Sequence, residues 1–166
     1  MEKELSRRSF LKMGTTAAAA MAVSPSLLMG KEKKDKKAAP QPLDRKLKIL
    51  AVGIGGRGAS VLRGLETEDI IGLCDVDWKY AAHIFERYPN AKRYNDYRVM
   101  FKEMLDEADA VVVATADHTH AIIAAEAIAA GKHVYVEKPL THTVYESRLL
   151  TKLAAKHKVA TQMGNQ

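Results

Sequence analysis

The densest chemistry in this sequence sits in Gly53-Ile54-Gly55-Gly56-Arg57-Gly58, a turn that leaves the apolar run Leu47 to Val52, and in Asp75, which ends a second apolar run 22 positions beyond Gly53. Gly53 suits a tight strand-to-helix turn, Gly55 lets main-chain amides come close to a pyrophosphate, and Gly58 lets the following helix pack on the sheet. A carboxylate at the distance of Asp75 can accept hydrogen bonds from the hydroxyls of an adenosine ribose and repel a 2′-phosphate. The spacing therefore predicts a dinucleotide site made of Gly53, Gly55, Gly56, Gly58 and Asp75, with NAD expected over NADP. Arg57 has two readings, a phosphate contact at the helix N-terminus or a solvent-facing side chain. Asp77 adds negative charge nearby, and its main expected duty is to cap the second helix. The bland alternative for the whole set is an ordinary βα turn rich in glycine.

Two further segments carry polar groups out of buried runs. Asp109 to His120 reads as a buried strand that delivers Thr115, Asp117, His118 and His120 to a polar loop. Asp117 is expected to cap a helix and His118 to lie at the surface. No well-spaced further ligand accompanies these groups, so no metal site is expected. In Gly131-Lys-His-Val-Tyr-Val-Glu137-Lys138-Pro139 a strand ends in a carboxylate and an ammonium. An amine held beside a nicotinamide can polarise a substrate hydroxyl; a surface Glu-Lys pair in a turn is the competing reading.

The elements that would position these groups alternate between β-type and helical patterns, which implies a parallel sheet covered on both faces. Strands are predicted near 47–52, 69–74, 92–94, 109–115, 133–136 and 159–163, and helices near 57–66, 78–88, 97–106, 119–130 and 143–157. Pro89 closes the second helix and Gly131 stops the fourth, while Thr143 and Glu146 form a capping box for the fifth. Six strands in βαβαβ halves predict a complete doubly wound α/β sheet of order 3-2-1-4-5-6, with its crevice at the carboxyl ends, where Gly53, Asp75, Thr115 and Glu137 fall.

The chain has 166 residues, 47% apolar and 28% charged, ordinary values for a globular protein, and a net charge of +6. Residues 1–37 carry nine Lys or Arg and four Asp or Glu, against seventeen and sixteen in 38–166, so the basicity belongs to the leader. Neither DNA nor RNA binding is indicated. Cys74 is the only cysteine. It excludes an internal disulfide and reads as a buried, inert thiol.

Ser6-Arg7-Arg8-Ser9-Phe10-Leu11-Lys12 ahead of an alanine-rich run from Met13 to Met29 has the order of an export signal, and its paired arginines specify the twin-arginine machinery. The run, broken by Ser24-Pro25-Ser26, is weak for a membrane span. Cleavage is equally compatible with Ala22 and Gly30. The expected organisation is a signal over 1–30, a basic proline-containing linker over 31–45 and a nucleotide-binding domain over 46–166, placed outside the cytoplasm, in the periplasm or otherwise exported. The twin-arginine route carries folded proteins, which suits one that takes up its dinucleotide before export.

GIGGRG at 53–58, CDVD at 74–77, AGKHVYVEKP at 130–139 and the leader together resemble the glucose-fructose oxidoreductase, inositol dehydrogenase and rhizopine-catabolism family, Gfo/Idh/MocA. The resemblance covers 46–166 and implies that Lys138 is an active-site lysine near the nicotinamide. It further implies that Glu137 and His120 are cofactor contacts and that the Lys138-Pro139 peptide is cis. Ala116 and Asp117 stand where the family has proline and asparagine. The resemblance also implies a homo-oligomeric parent, a sugar or cyclitol substrate and a second α/β substrate domain, for which no room remains before Gln166; this polypeptide alone is then expected to bind cofactor without completing hydride transfer. Three readings follow: the NAD-binding part of an exported oxidoreductase, the same part of an NAD-dependent glycoside hydrolase of the family 109 type, or a non-catalytic binding module.

Overall fold

Both faces of the central strands are apolar, and that is why they lie inside a parallel sheet. The computed structural model describes residues 44–165, so the leader and most of the linker lie outside the described residues. In β1 (Lys48–Val52), Ile49 and Ala51 point into one core, and Leu50 and Val52 into the other. In β4 (Ala110–Val113), Val111 and Val113 join the second core and Val112 the first. Strands buried on both sides read as continuous apolar runs.

The remaining strands are β2 (Asp69–Cys74), β3 (Lys92–Tyr94), β5 (His133–Val136) and β6 (Thr161–Met163). All five pairings are parallel and the order is β3-β2-β1-β4-β5-β6, as expected from the alternation of elements. Helices α1 (Gly56–Arg63) and α2 (Ala82–Arg87) pack Leu62, Ile84 and Phe85 on one face. Helices α3 (Tyr97–Met104), α4 (His120–Ala129) and α5 (Val144–His157) pack Met100, Ile123, Ile128 and Leu150 on the other.

Several boundaries differ from the sequence expectation for identifiable reasons. Residues 78–81 form a tight turn, with Ala82 N bonding back only three residues to Lys79 O, so α2 is regular from Ala82 alone. Asp77 caps this turn rather than α2 itself, its Oδ1 accepting from Lys79 N and Tyr80 N. Asp117 opens a 3-10 turn over Asp117–Thr119, and no side chain caps either that turn or α4. The last strand starts late because Lys158 closes α5 in the left-handed region. Other local signals behave as read. Gly131 (φ 77) donates to Ile128 O, and Lys132 to Ala127 O, which ends α4 in a Schellman arrangement. Thr143 and Glu146 form the capping box of α5.

Asp109 shows how the start of the domain is secured. Its carboxylate accepts two bonds from Arg45, at 2.6 and 2.7 Å, and one from Lys48 N at 2.9 Å. The Arg45 guanidinium holds the Asp109 carboxyl far below the ordinary carboxylate range, against the opposing effect of its partial burial. A depressed folded-state pKa stabilises the fold above the unfolded value of about 4, and that contribution is lost as pH falls through the acid range. Asp109→Asn is accordingly expected to lower the melting temperature at pH 7 by roughly 3 °C, the scale of an exposed ion pair. Melts at successively lower pH should show that difference shrinking; a constant difference from pH 7 to pH 2 would refute the assignment.

Candidate functional site

Strand order reverses between β1 and β4, and the chain leaves both at their carboxyl ends, opening a crevice between the loops. A cleft of about 590 Å³ lies there, lined by Gly53, Gly55, Gly56, Arg57, Asp75 and Thr115 among the residues expected from the sequence. Gly53 makes the turn with φ 78, and its amide bonds to Cys74 O at 2.9 Å, tying the turn to the end of β2. α1 then begins at Gly56, with Gly55 as N-cap and no side-chain cap bond. Its leading amides are the free donors found at any helix start, and they suit an anion.

Asp75 is fixed by the turn it faces. Its Oδ2 accepts from Ile54 N at 2.9 Å and Gly55 N at 3.0 Å, and its Oδ1 accepts from Asp77 N at 3.0 Å. Of the roughly four acceptor positions on a carboxylate, one is left, on Oδ1. Cys74 beside it is 2% exposed, and burial, reinforced by the charges of Asp75 and Asp96, pushes its thiol up to about 12. The thiolate needed for nucleophilic chemistry is thus suppressed.

Gly58 does not line the cleft; it sits behind the turn where α1 crosses Gly53, close enough that a Cβ would overlap the Gly53 carbonyl. His120 is 1% exposed, with Nδ1 2.7 Å from Pro139 O and Nε2 3.1 Å from Thr115 O. It therefore links the end of β4 to the loop after β5, while His118 is exposed. Thr115 is held further by the Thr119 hydroxyl, which donates to Thr115 Oγ1 at 2.7 Å.

Glu137 is also buried, 3% exposed, and its partner is Arg57, whose Nε donates to Oε1 at 3.0 Å. The Tyr135 hydroxyl donates to the same oxygen at 3.1 Å, and Lys138 N to Oε2 at 3.3 Å. Burial alone would raise this carboxyl, but the bonds from Arg57, Tyr135 and Lys138 outweigh it and hold the group ionised below its usual range. Neither reading of Arg57 anticipated this contact, which joins the glycine turn to the strand end that presents Lys138. Lys138 itself is exposed, and the Lys138-Pro139 peptide is cis.

Sequence reasoning missed Tyr80, Asp96, Tyr97, Arg98 and Ile122, which also line the cleft. Asp96 had a usable signal, since a carboxylate just ahead of an amphipathic helix reads as a cap, and it accepts from Arg98 N at 2.9 Å. Among the described residues, no cluster of three or more His, Cys, Asp or Glu could hold a metal ion, and no helix is long and apolar enough to cross a membrane.

Comparison with known proteins agrees with this geometry. Residues 47–165 match the family described as an oxidoreductase family with an NAD-binding Rossmann fold, and residues 4–24 match the twin-arginine translocation signal. A glycosyl hydrolase family 109 protein of Shewanella pealeana is 29% identical over 161 residues, covering 86% of this chain and 35% of that protein. An inositol 2-dehydrogenase of Acidothermus cellulolyticus is 36% identical over 104 residues, covering 60% of this chain and 30% of that protein. Among solved structures, GenD2 from gentamicin A biosynthesis in complex with NAD superposes with a TM-score of 0.64 at 31% identity, over 75% of this chain and 36% of that one. The chain thus spans about a third of the length of the relatives it matches. With a six-stranded doubly wound sheet, the glycine turn and an acid closing β2, the chain belongs to the Gfo/Idh/MocA oxidoreductase family, carries its NAD-binding Rossmann domain and bears a signal for export by the twin-arginine pathway.

Proposed function

We propose that residues 46–166 bind NAD in the crevice, behind a signal over 1–30 and a linker over 31–45, as the cofactor domain of an oxidoreductase acting on a sugar or cyclitol hydroxyl. The observation that carries this reading is the pairing of Asp75 with the glycine turn at the cleft mouth. The residues fit the group: Gly55 and Gly56 put bare backbone at the start of α1, and a negative side chain stands where a 2′-phosphate would be repelled. With one acceptor position left, Asp75 takes a single ribose hydroxyl.

Bound NAD supplies hydride acceptance at its nicotinamide. Gly53, Gly55 and Gly56 would hold the diphosphate, and Thr115, at the end of β4 in the same cleft, would contact the nicotinamide half. Lys138 handles the proton of a substrate hydroxyl. Glu137 and Arg57 act together by fixing the backbone that enters Lys138, and His120 holds the Pro139 carbonyl that follows it. Assembly as a homo-oligomer is part of the same proposal.

The full chain is expected to bind NADH saturably, seen as enhanced nicotinamide fluorescence, and a flat titration with folded protein would end the dinucleotide reading. Likeness to the Shewanella pealeana protein over 86% of the chain supports a second reading, glycoside cleavage through transient oxidation. That reading requires aryl glycoside cleavage without net NADH.

A further inference from the structure

Tyr80 lies on the surface of the glycine turn that the proposed diphosphate needs. Its Cδ1 and Cε1 stand well inside contact distance of the place where a Cβ on Gly55 would be, and its hydroxyl is 3.0 Å from the corresponding place on Gly56. The ring therefore packs flush on the main chain at the start of α1. A phenyl edge cannot accept bonds from helix-start amides, whereas a phosphate can.

The backbone beneath the ring is secured. Asp77 Oδ1 accepts from Tyr80 N and Lys79 N, and Asp77 N is held in turn by Asp75 Oδ1. Trp78 packs edge-on against Phe85 with centroids 5.5 Å apart. Only the side chain of Tyr80 is left to move, by rotation about χ1. It is 61% exposed, so turning outward removes little surface from contact.

We propose that Tyr80 is an exchange-controlling residue of the cofactor site: its ring takes the diphosphate's place against Gly55 and Gly56 until the dinucleotide displaces it. This rests on the NAD reading above, and it adds a residue that the glycine fingerprint does not contain. Two groups cannot share the bare face of Gly55, so entry of the diphosphate waits on rotation of the ring. The same acid that meets the ribose, Asp75, also anchors the turn that carries the ring.

The test is stopped-flow association of NADH, ADP-ribose and adenosine with the full chain. Tyr80→Ala is expected to raise the association rate constant of NADH and ADP-ribose about five-fold, the scale set by the limited apolar contact the ring gives up. Adenosine has no diphosphate to meet Gly55, and its rate should stay within two-fold. Tyr80→Phe keeps the ring and should keep slow entry; Tyr80→Ser repeats the test should the alanine variant aggregate. An NADH rate unchanged or lowered by removing the ring, or an equal acceleration for adenosine, overturns the proposal. Failure of the wild-type chain to bind NADH at all is a different result, which ends the dinucleotide reading itself.

Discussion

Gly58→Ala is expected to destabilise the folded domain severely. A methyl group at this position would overlap the carbonyl oxygen of Gly53 and crowd its carbonyl carbon at 2.9 Å. Those are backbone atoms, and they have nowhere to go: Gly53 already holds a left-handed φ of 78, its amide is bonded to Cys74 O, and a Cβ on Gly53 would itself lie 2.6 Å from the Ala114 carbonyl. α1 would have to lift from the β1–β4 seam, pulling the fully buried Leu62 and the 5% exposed Ala59 out of contact. Steric insertion into a packed core costs about 1–3 kcal/mol when side chains can give way, and more when the obstacle is main chain. A loss of about 4 kcal/mol or more is therefore expected, a large part of the stability of a domain this size. Urea titration followed by far-ultraviolet circular dichroism measures it. A variant that unfolds cooperatively at the wild-type midpoint would show that the crossing of α1 over Gly53 has been misread.

The same crossing explains why so much of the fold was legible. Glycines at 53 and 58, the unbroken apolar runs of β1 and β4, the helix stop at Gly131 and the helix start at Thr143 are all local signals, and each leads to the sheet order found. The acid ending β2 was legible for the same reason, since its spacing from the turn follows from the length of one βα unit. What escaped was decided over long separations. Nothing near Arg57 in sequence points to Glu137, 80 positions away, yet the ion pair between them settles which way Arg57 turns. The carbonyl partners of the buried His120, Thr115 O and Pro139 O, likewise depend on how two loops pack, and its place at the cofactor stays part of the proposal. Tyr80 escaped because its part depends on the tight turn at 78–81, where the periodic pattern suggested a helix running from 78.

Asp75→Ala separates cofactor choice from loop integrity, because its two effects fall differently on the two dinucleotides. Removing the carboxylate strips the acceptor from Ile54 N, Gly55 N and Asp77 N, which loosens the turn that any diphosphate must meet. That loss is common to NADH and NADPH and cancels in their ratio. The proposed ribose bond does not cancel. A hydrogen bond to a charged acceptor is worth about 1.5–3 kcal/mol, or roughly 10- to 150-fold in affinity, and only NADH makes it. NADPH instead loses a repulsive carboxylate facing its 2′-phosphate, which partly offsets the loosened turn. The ratio of NADPH to NADH dissociation constants should thus fall by at least about ten-fold, measured by fluorescence titration of both cofactors against wild-type and variant chains. Asp77 keeps its charge in the variant, so discrimination should weaken without reversing into strong NADPH preference. Equal losses for the two cofactors would mean that Asp75 serves the glycine turn alone and that another group reads the ribose.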